Sequence, residues 1–172
     1  MPSTYISNTA HYKQVLERVR SVKRVLWIGT ADMKDLYVKQ GVDGSVPFLK
    51  ILSDLANRGV EIRLIHAKEP GENFRKDFDK YPTLIEKLER VLCPRVHFKL
   101  LIFDLEMAYI GSTNLTGAGI GMKSEDTRNF EAGILTTEPT LVENAMNQFD
   151  DVWMGKFCAK CKRKAFCGDR IK

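Results

Sequence analysis

The chain has 172 residues, of which 44% are hydrophobic, and a formal net charge of +5. This length suits one well-packed domain with a small appendage and is short for two domains. Residues 1–24 contain no apolar core of the signal-peptide kind, and no run approaches the roughly 20 apolar residues of a transmembrane helix. We therefore expect a cytoplasmic protein, in which the four cysteines are reduced thiols or metal ligands and not disulfides.

The positive charge is concentrated at the C-terminal end of the chain. Residues 156–172 hold seven Lys and Arg and one acid, Asp169, for a net charge of +6, whereas the remaining residues carry a net charge of −1. A short basic tail is typical of contacts with nucleic acid or an anionic membrane, but solvated charge at a terminus is also common. Composition alone leaves both interpretations open.

The predicted elements of the N-terminal half alternate between helix and strand. Residues 1–9 are predicted to be an unstructured lead-in, and apolar spacing predicts a helix from His11. A buried strand over residues 24–29 and a polar connection over residues 30–44 follow. A helix then begins at Ser45, which is suited to cap it, and a strand covers residues 60–66. A strand, a helix and a strand in succession indicate a parallel crossover and an α/β fold.

In the C-terminal half, residues 67–82 are charged, contain Pro and Gly, and are predicted to be a loop. Thr83 and Glu86 fit a capping box that opens a short helix. Strands are predicted over residues 96–103, 106–110 and 129–136, with a turn near Asp104. A final helix begins near Pro139 and stops at Gly155.

His97 and Lys99 are two residues apart in an apolar run. A strand projects such a pair from one face. A buried neutral surface would not select an imidazole and an ammonium as neighbours, so the pair predicts an anion-binding site. The alternative is a strand edge that faces solvent and carries two incidental polar residues.

Six residues at matching spacing resemble the signature of the phospholipase D superfamily of phosphodiesterases and phosphatidyltransferases. They are His97, Lys99, Asp104, Gly111, Ser112 and Asn114. The order of elements over residues 22–153 is similar to one whole module of that family. The resemblance implies a mixed β-sheet flanked by helices in a catalytic domain of residues 1–155. It also implies that Asn129 and Glu131 lie on the downstream strand that carries the family's acidic partner for histidine.

The residue types suit displacement at a phosphodiester. A neutral imidazole of His97 can attack phosphorus and form a phosphohistidine. Lys99 and Asn114 can stabilise charge on the nonbridging oxygens, Gly111 permits close backbone approach, and Ser112 can donate to the phosphate or brace the turn. The resemblance implies that Glu131 accepts a hydrogen bond from His97 and so fixes the orientation of the imidazole.

Asp104 is at an odd offset from His97, so on a regular strand it faces away from the site. At the predicted hairpin turn its carboxylate would more naturally accept hydrogen bonds from backbone amides. We therefore expect Asp104 to support the motif structurally.

The chain carries one copy of a motif that members of the family commonly carry twice. A second copy can come from an identical subunit, because a twofold dimer brings identical surfaces together. We therefore expect a homodimer in which one His97 is the nucleophile and the other is the general acid. This chemistry requires no catalytic cofactor or metal ion.

The basic tail contains a Cys-x2-Cys pair followed by a third cysteine, and a fourth stands four residues before His97. The four are Cys93, Cys158, Cys161 and Cys167. Such a set predicts a closed, structural zinc site at a small metal-binding tail of residues 156–172. An iron–sulfur cluster uses the same ligands. Free thiols or a Cys158–Cys161 disulfide are the alternatives.

The resemblance leaves three functions to compare. A compact, single-motif chain resembles the bacterial endonuclease branch of the family, and a basic tail would supply phosphate contacts on DNA or RNA. A phospholipase or phosphatidyltransferase acting on phospholipid shares the whole motif. A non-catalytic nucleic-acid-binding module is the third possibility, although a complete motif argues against it.

Overall fold

A seven-stranded mixed β-sheet forms the centre of the protein, as seen in a computed structural model that describes residues 2–34, 36–42 and 44–169. Residues 1, 35, 43 and 170–172, which include the start of the predicted lead-in and the end of the predicted tail, lie outside the described residues. The strands are β1 (Ser3–Ser7), β2 (Val25–Thr30), β3 (Tyr37–Gln40), β4 (Gly44–Pro47), β5 (Glu61–His66), β6 (Leu88–Leu92), β7 (Lys99–Phe103), β8 (Met107–Gly111) and β9 (Ala132–Thr136).

The large sheet has the order β1-β9-β8-β7-β2-β5-β6, and β3 and β4 form a separate hairpin. β2, β5 and β6 are parallel to one another, and every other pairing is antiparallel. This topology places the last residues of some strands and the first residues of others at one edge. That edge, called the upper edge below, is formed by Thr30, His66, Leu92, Lys99, Gly111 and Ala132.

Helices cover both faces of the sheet. They are α1 (Phe48–Asn57), α2 (Glu72–Phe78), α3 (Pro82–Lys87) and α4 (Pro139–Trp153), with irregular helical turns over His11–Leu16 and Glu17–Ser21. The first three helices and both turns contribute to one apolar cluster, whereas α4 packs on the opposite face. On that face the rings of Trp27 and Phe149 stack with centroids 5.0 Å apart. The central strand β7 is buried throughout, as two covered faces require.

The predicted fold class is confirmed as a mixed α/β protein with a large mixed sheet flanked by helices. The predicted parallel crossover exists, because β2 and β5 pair in parallel and α1 lies between them in the chain. The final helix α4 ends near Gly155, which adopts a φ of +67°. Among the described residues, no helix has the length and apolar character needed to cross a membrane.

The prediction of an unstructured lead-in was wrong. Residues 3–7 form β1, which pairs antiparallel with β9 and closes one side of the sheet. The prediction failed because only Ile6 of this strand is buried, so the segment carries almost no apolar alternation.

Four local predictions were also wrong. Residues 30–44 contain the strand β3 in place of a plain connection, and Ser45 lies in β4, so that α1 begins only at Phe48. Residues 67–82 contain α2. The hydroxyl of Thr83 donates to Asn57 Oδ1 at 3.0 Å and caps no helix. The pairing of β3 with β4 and the bond from Thr83 to α1 are non-local contacts that replaced the local signal.

Candidate active site

The side chains of His97 and Lys99 meet at the upper edge. Lys99 Nζ donates to the carbonyl oxygen of His97 at 2.7 Å and lies 3.3 Å from Nδ1 and 3.4 Å from Nε2 of the imidazole. The predicted strand over residues 96–103 begins later than expected, because β7 starts at Lys99, where it pairs with Gly111. His97 therefore stands just outside the sheet, and its side chain is exposed.

Lys99 is 6% exposed, so its ammonium is held in a largely dry position. Burial lowers the pKa of Lys99, and the negative charge of Glu131 opposes that effect. A buried charge interacts more strongly with a bound anion than an exposed one does. Lys99 is therefore placed to stabilise negative charge that develops beside the imidazole.

Phe98, between the two polar residues, fixes the segment to the sheet. Its ring lies against Gly29, where an added Cβ would stand 2.3 Å from the ring carbon Cε2. The same ring packs against Phe149 of α4. Glycine at position 29 is thus required by close approach, and the half-buried aromatic ring holds residues 97–99 in place.

Asn114 is oriented by the end of β2. Its Oδ1 accepts a hydrogen bond from the Asp32 amide at 3.1 Å and lies 3.3 Å from the Thr30 hydroxyl, which also donates to the Asp32 carbonyl at 2.8 Å. Thr30, which is 1% exposed, also receives the Leu115 amide at 3.4 Å. Since Oδ1 is engaged, the Asn114 Nδ2 group is the part of the amide that can donate to a phosphate oxygen. Thr30 carries no motif signal, so its role was not predicted.

Ser112 and Glu131 form a hydrogen-bonded pair. The Ser112 hydroxyl donates to Glu131 Oε2 and accepts from the Ala132 amide at 3.1 Å, and Asn129 Nδ2 donates to Glu131 Oε1 at 3.0 Å. Of the two roles left open for Ser112, the observed contacts correspond to bracing the turn. Both Asn129 and Glu131 precede β9, which begins at Ala132 and not at residue 129 as predicted.

Asn8 is a site residue that the sequence analysis missed. Its amide donates to the Glu131 carbonyl at 3.0 Å, and its Oδ1 accepts from the Glu131 amide at 3.1 Å. Asn8 follows β1 and has a φ of +46°, a conformation that asparagine tolerates better than most residues. An asparagine after a short strand was the available signal, but its partner is 123 residues away in the chain.

Tyr109 fills the space below Gly111. An added Cβ on Gly111 would stand 2.2 Å from the Tyr109 hydroxyl oxygen. The ring of His11 meets Tyr109 edge-on with centroids 5.4 Å apart. Burial lowers the pKa of His11 and raises the pKa of Tyr109. The predicted close approach at Gly111 is therefore explained by a protein side chain.

Asp104 lies at the other end of β7, and its carboxylate accepts hydrogen bonds from three backbone amides. The donors are Lys23 at 3.1 Å, Arg24 at 2.7 Å and Val25 at 3.1 Å. Burial raises the pKa of Asp104, but the three amides outweigh it and leave that pKa lowered. Asp104 thus holds the start of β2 in register, as expected of a structural member of the motif.

The tail packs beside the segment that carries His97. Asp169 Oδ2 accepts from the Leu92 amide at 2.5 Å, and Cys167 Sγ lies 3.5 Å from the Leu92 carbonyl oxygen. The Arg163 amide, 3.4 Å from Cys161 Sγ, lowers the pKa of Cys161, and Arg95 contributes in the same direction. The described tail, which contains five lysines and arginines, therefore contacts the body at Leu92 and Arg95, shortly before His97.

The arrangement joins a nucleophile, a buried cation and an oriented amide at one end of the sheet. Those are the groups that attack and stabilise a phosphodiester. Across residues 2–34, 36–42 and 44–169, no group of three His, Cys, Asp or Glu side chains is close enough together to hold a metal ion.

Comparison with protein-family models gives a match over residues 15–153 to the family described as cardiolipin synthase, PLD-like domain. Comparison of the sequence with curated proteins gives no match.

Solved structures share the fold at low sequence identity. NucT from Helicobacter pylori is 14% identical, with 88% of this chain and 95% of that chain covered at a TM-score of 0.64. Nuc from Salmonella typhimurium, a phospholipase D family member, is 18% identical, with 88% and 93% covered at a TM-score of 0.59. TrmBL2, an archaeal chromatin protein with a novel mode of DNA binding, is 14% identical, with 90% and 52% covered at a TM-score of 0.61.

Proposed function

Since the chain belongs to the phospholipase D superfamily, we propose that it is an endonuclease that cleaves DNA or RNA through a phosphohistidine intermediate and needs no catalytic metal ion. In the first step His97 attacks phosphorus, so that a P–N bond forms and the P–O bond to the leaving nucleotide breaks. A general acid gives its proton to the leaving oxygen. In the second step the resulting base activates water, which attacks phosphorus and releases His97.

The contacts of the site support these roles. Lys99 stands beside the imidazole, where its charge can stabilise the nonbridging oxygens, and Asn114 can donate from the adjoining turn. Glu131 is fixed by Ser112 and Asn129 and lowers the local potential near Lys99.

The single observation that carries the nucleic-acid substrate is the position of the basic tail. The tail lies against Leu92 and Arg95, on the segment that leads to His97. Lysine and arginine near a catalytic site neutralise backbone phosphates on either side of the scissile bond, and such binding is independent of sequence. TrmBL2, a structure of the same fold, is described as a DNA-binding protein.

We also propose that the active site is completed in a homodimer, with His97 of the second chain as the general acid. An apolar strip supports this proposal. Tyr5 and Ile134 are paired across β1 and β9 and are 70% and 41% exposed, and Phe130, next to Glu131, is 92% exposed. Exposed apolar side chains beside an incomplete site fit a surface that a second copy covers.

The substrate test compares labelled single-stranded DNA, double-stranded DNA, RNA and phosphatidyl lipid vesicles, each with the protein and with His97→Asn. We expect cleavage of at least one nucleic acid, loss of cleavage in the variant, and an unchanged melting temperature. Hydrolysis or transfer of the lipid alone would identify a phospholipase or phosphatidyltransferase and overturn the nuclease assignment. Nucleic-acid binding with no cleavage would identify a binding module.

The dimer test uses sedimentation at the assay concentration together with mixing. Wild-type chains mixed with an excess of His97→Asn chains form mixed dimers that contain a single His97 and should be inactive. Activity per milligram of total protein should therefore fall with the square of the wild-type fraction. A fall in simple proportion, or an active monomer in the ultracentrifuge, would contradict the shared site.

A further inference from the structure

The tail follows a defined path without an apolar core of its own. No buried hydrophobic side chain of the described residues lies beyond Phe149, and Phe157 and Phe166 are 52% and 67% exposed. The contacts of the tail with the body include hydrogen bonds to Leu92 and the approach of Arg95 to Cys161. These few contacts are a small number to offset the entropy of ordering 14 residues (156–169).

All four cysteines of the chain line one cavity of about 560 Å³ between α4 and the segment that precedes β7. Cys158, Cys161 and Cys167 stand on the tail side, and Cys93 stands on the body side, directly after β6. None of them forms a disulfide, and each is half-buried. Cys93 and the three tail cysteines, 65 or more residues away in the chain, therefore line the same cavity.

The turn that carries the first two tail cysteines resembles a metal-binding knuckle in its hydrogen bonds. The Cys161 amide donates to the Cys158 carbonyl at 3.1 Å, and the Arg163 amide points at Cys161 Sγ from 3.4 Å. An amide directed at sulfur stabilises a thiolate. A two-residue spacing on a tight turn allows both sulfurs to ligate one tetrahedral ion.

We propose that Cys93, Cys158, Cys161 and Cys167 bind one zinc ion as a closed structural site that ties the basic tail to the catalytic segment. All four cysteines line the cavity, but among the described residues no three candidate ligands are within reach of one ion. Binding draws the tail inward, and a segment without a packed core moves at little cost. Each thiol that becomes a ligand releases its proton, and no oxidation is involved.

The identity of the metal follows from the ligands. Four thiolates form a soft donor set that favours zinc over magnesium or calcium, and a site with four protein ligands leaves no position for substrate or water. Its role is therefore structural, and the site stands whether or not the nuclease assignment is correct.

The test measures metal content in the full chain, purified under reducing conditions without added metal and freed of any affinity tag. We expect about one zinc per chain, and substitution by Co²⁺ should give the visible bands of tetrahedral thiolate coordination. Cys161→Ser should lose the ion, whereas Lys162→Ser, in the same turn but without a thiol, should retain it. Zinc near zero after reconstitution with zinc would overturn the proposal, and iron with acid-labile sulfide would overturn the choice of metal.

A second measurement removes the dependence on variants that fail to fold. Alkylation of the native wild-type protein, followed by mass spectrometry, should find all four thiols protected until a chelator is added. Rapid alkylation of Cys93 alone would show a site of three thiolates and overturn the tether to the body. In Cys93→Ser the cobalt–thiolate absorbance should fall by about a quarter, and an unchanged intensity would count against Cys93 as a ligand.

Discussion

The upper edge around Lys99 and the tail of residues 156–169 lie side by side but are built on opposite principles. At the upper edge, buried residues hold the site in place. The Phe98 ring lies against Gly29 and anchors the segment of His97 and Lys99, and the Asn114 amide contacts Thr30. In the tail, the side chains are half-buried or exposed and the contacts are at the surface. The side chains proposed for catalysis are thus positioned by the core. The cations of the tail, proposed to bind phosphate, are free to adapt to a ligand. Changes at the edge should alter kcat, and changes in the tail should alter affinity and its salt dependence.

Lys99→Met has the largest expected effect on the difference between the upper edge and the tail. Methionine fills the buried space but carries no charge, so kcat should fall by about 10³-fold, as it does when a preorganised electrostatic contact is lost. Single-turnover cleavage and a thermal melt measure the two effects. Lys160→Met in the tail is the matched control, with kcat within about twofold of wild type. Equal losses in both variants would erase the distinction between edge and tail.

Asp104→Asn tests whether one member of the motif acts through the fold alone. The variant replaces a carboxylate that receives three amides, so the free energy of unfolding should fall by about 1.5–3 kcal/mol. The lowered pKa of Asp104 gives stability that is present above the unfolded carboxyl's pKa and is lost as pH falls through the folded value. The free energies of unfolding of the two proteins, measured by denaturant titration, should therefore become equal as the pH is lowered from neutral to acid. A lowered kcat per folded molecule would instead assign Asp104 a direct role.

Thr30→Val removes a buried hydroxyl and keeps the shape of the side chain. Without the hydroxyl, the Asn114 amide loses its contact with Thr30 and is oriented by the Asp32 amide alone. We expect kcat to fall by about tenfold, equivalent to about 1.4 kcal/mol, with KM nearly unchanged. Steady-state kinetics separate the two constants. An increase in KM alone would indicate that Thr30 shapes binding and leaves the transition state unaffected.

Two buried histidines predict how the body of the protein responds to acid. Among the described residues, Nε2 of His11 and of His66 has no hydrogen-bond partner, and burial lowers the pKa of each ring. The unfolded chain then binds more protons, so stability falls as pH drops below about 6.5 and through the window down to the folded values. Each histidine can change the free energy of unfolding by up to about 1.4 kcal/mol per pH unit in this window. His66→Gln should flatten the curve, and an unchanged curve would contradict this cause.

The smallest expected effect belongs to single cations of the tail. Lys160→Ala should reduce the slope of log affinity against log salt by about 0.7–0.9 and leave kcat unchanged. Binding measured by anisotropy from low to moderate salt, on a short single-stranded oligonucleotide, provides the slope. A change in kcat without a change in slope would mean that this region takes part in catalysis and is not an adaptable surface.

The sequence predicted those parts of the molecule whose causes are local. Apolar spacing located β2, β5 and α4, and the motif placed His97, Lys99 and Asn114 at one edge before any contact was known. What escaped prediction depends on distant partners. Asn8 is defined by its two hydrogen bonds to Glu131, and Thr30 by its contact with the turn beyond β8. β1 carries one buried side chain, so no pattern marked it as a strand.

β1 also sets the order in which the protein can mature. A nascent chain of about 100 residues already contains His97 and Lys99, yet the strand that receives β1 begins at Ala132. Loop closure over more than a hundred residues is slow and comes late. Until Asn8 reaches Glu131, the backbone of Glu131 lacks the two hydrogen bonds that Asn8 supplies. The first strand to leave the ribosome is therefore among the last to be paired, and the site around Glu131 is completed only when nearly the whole chain has been made.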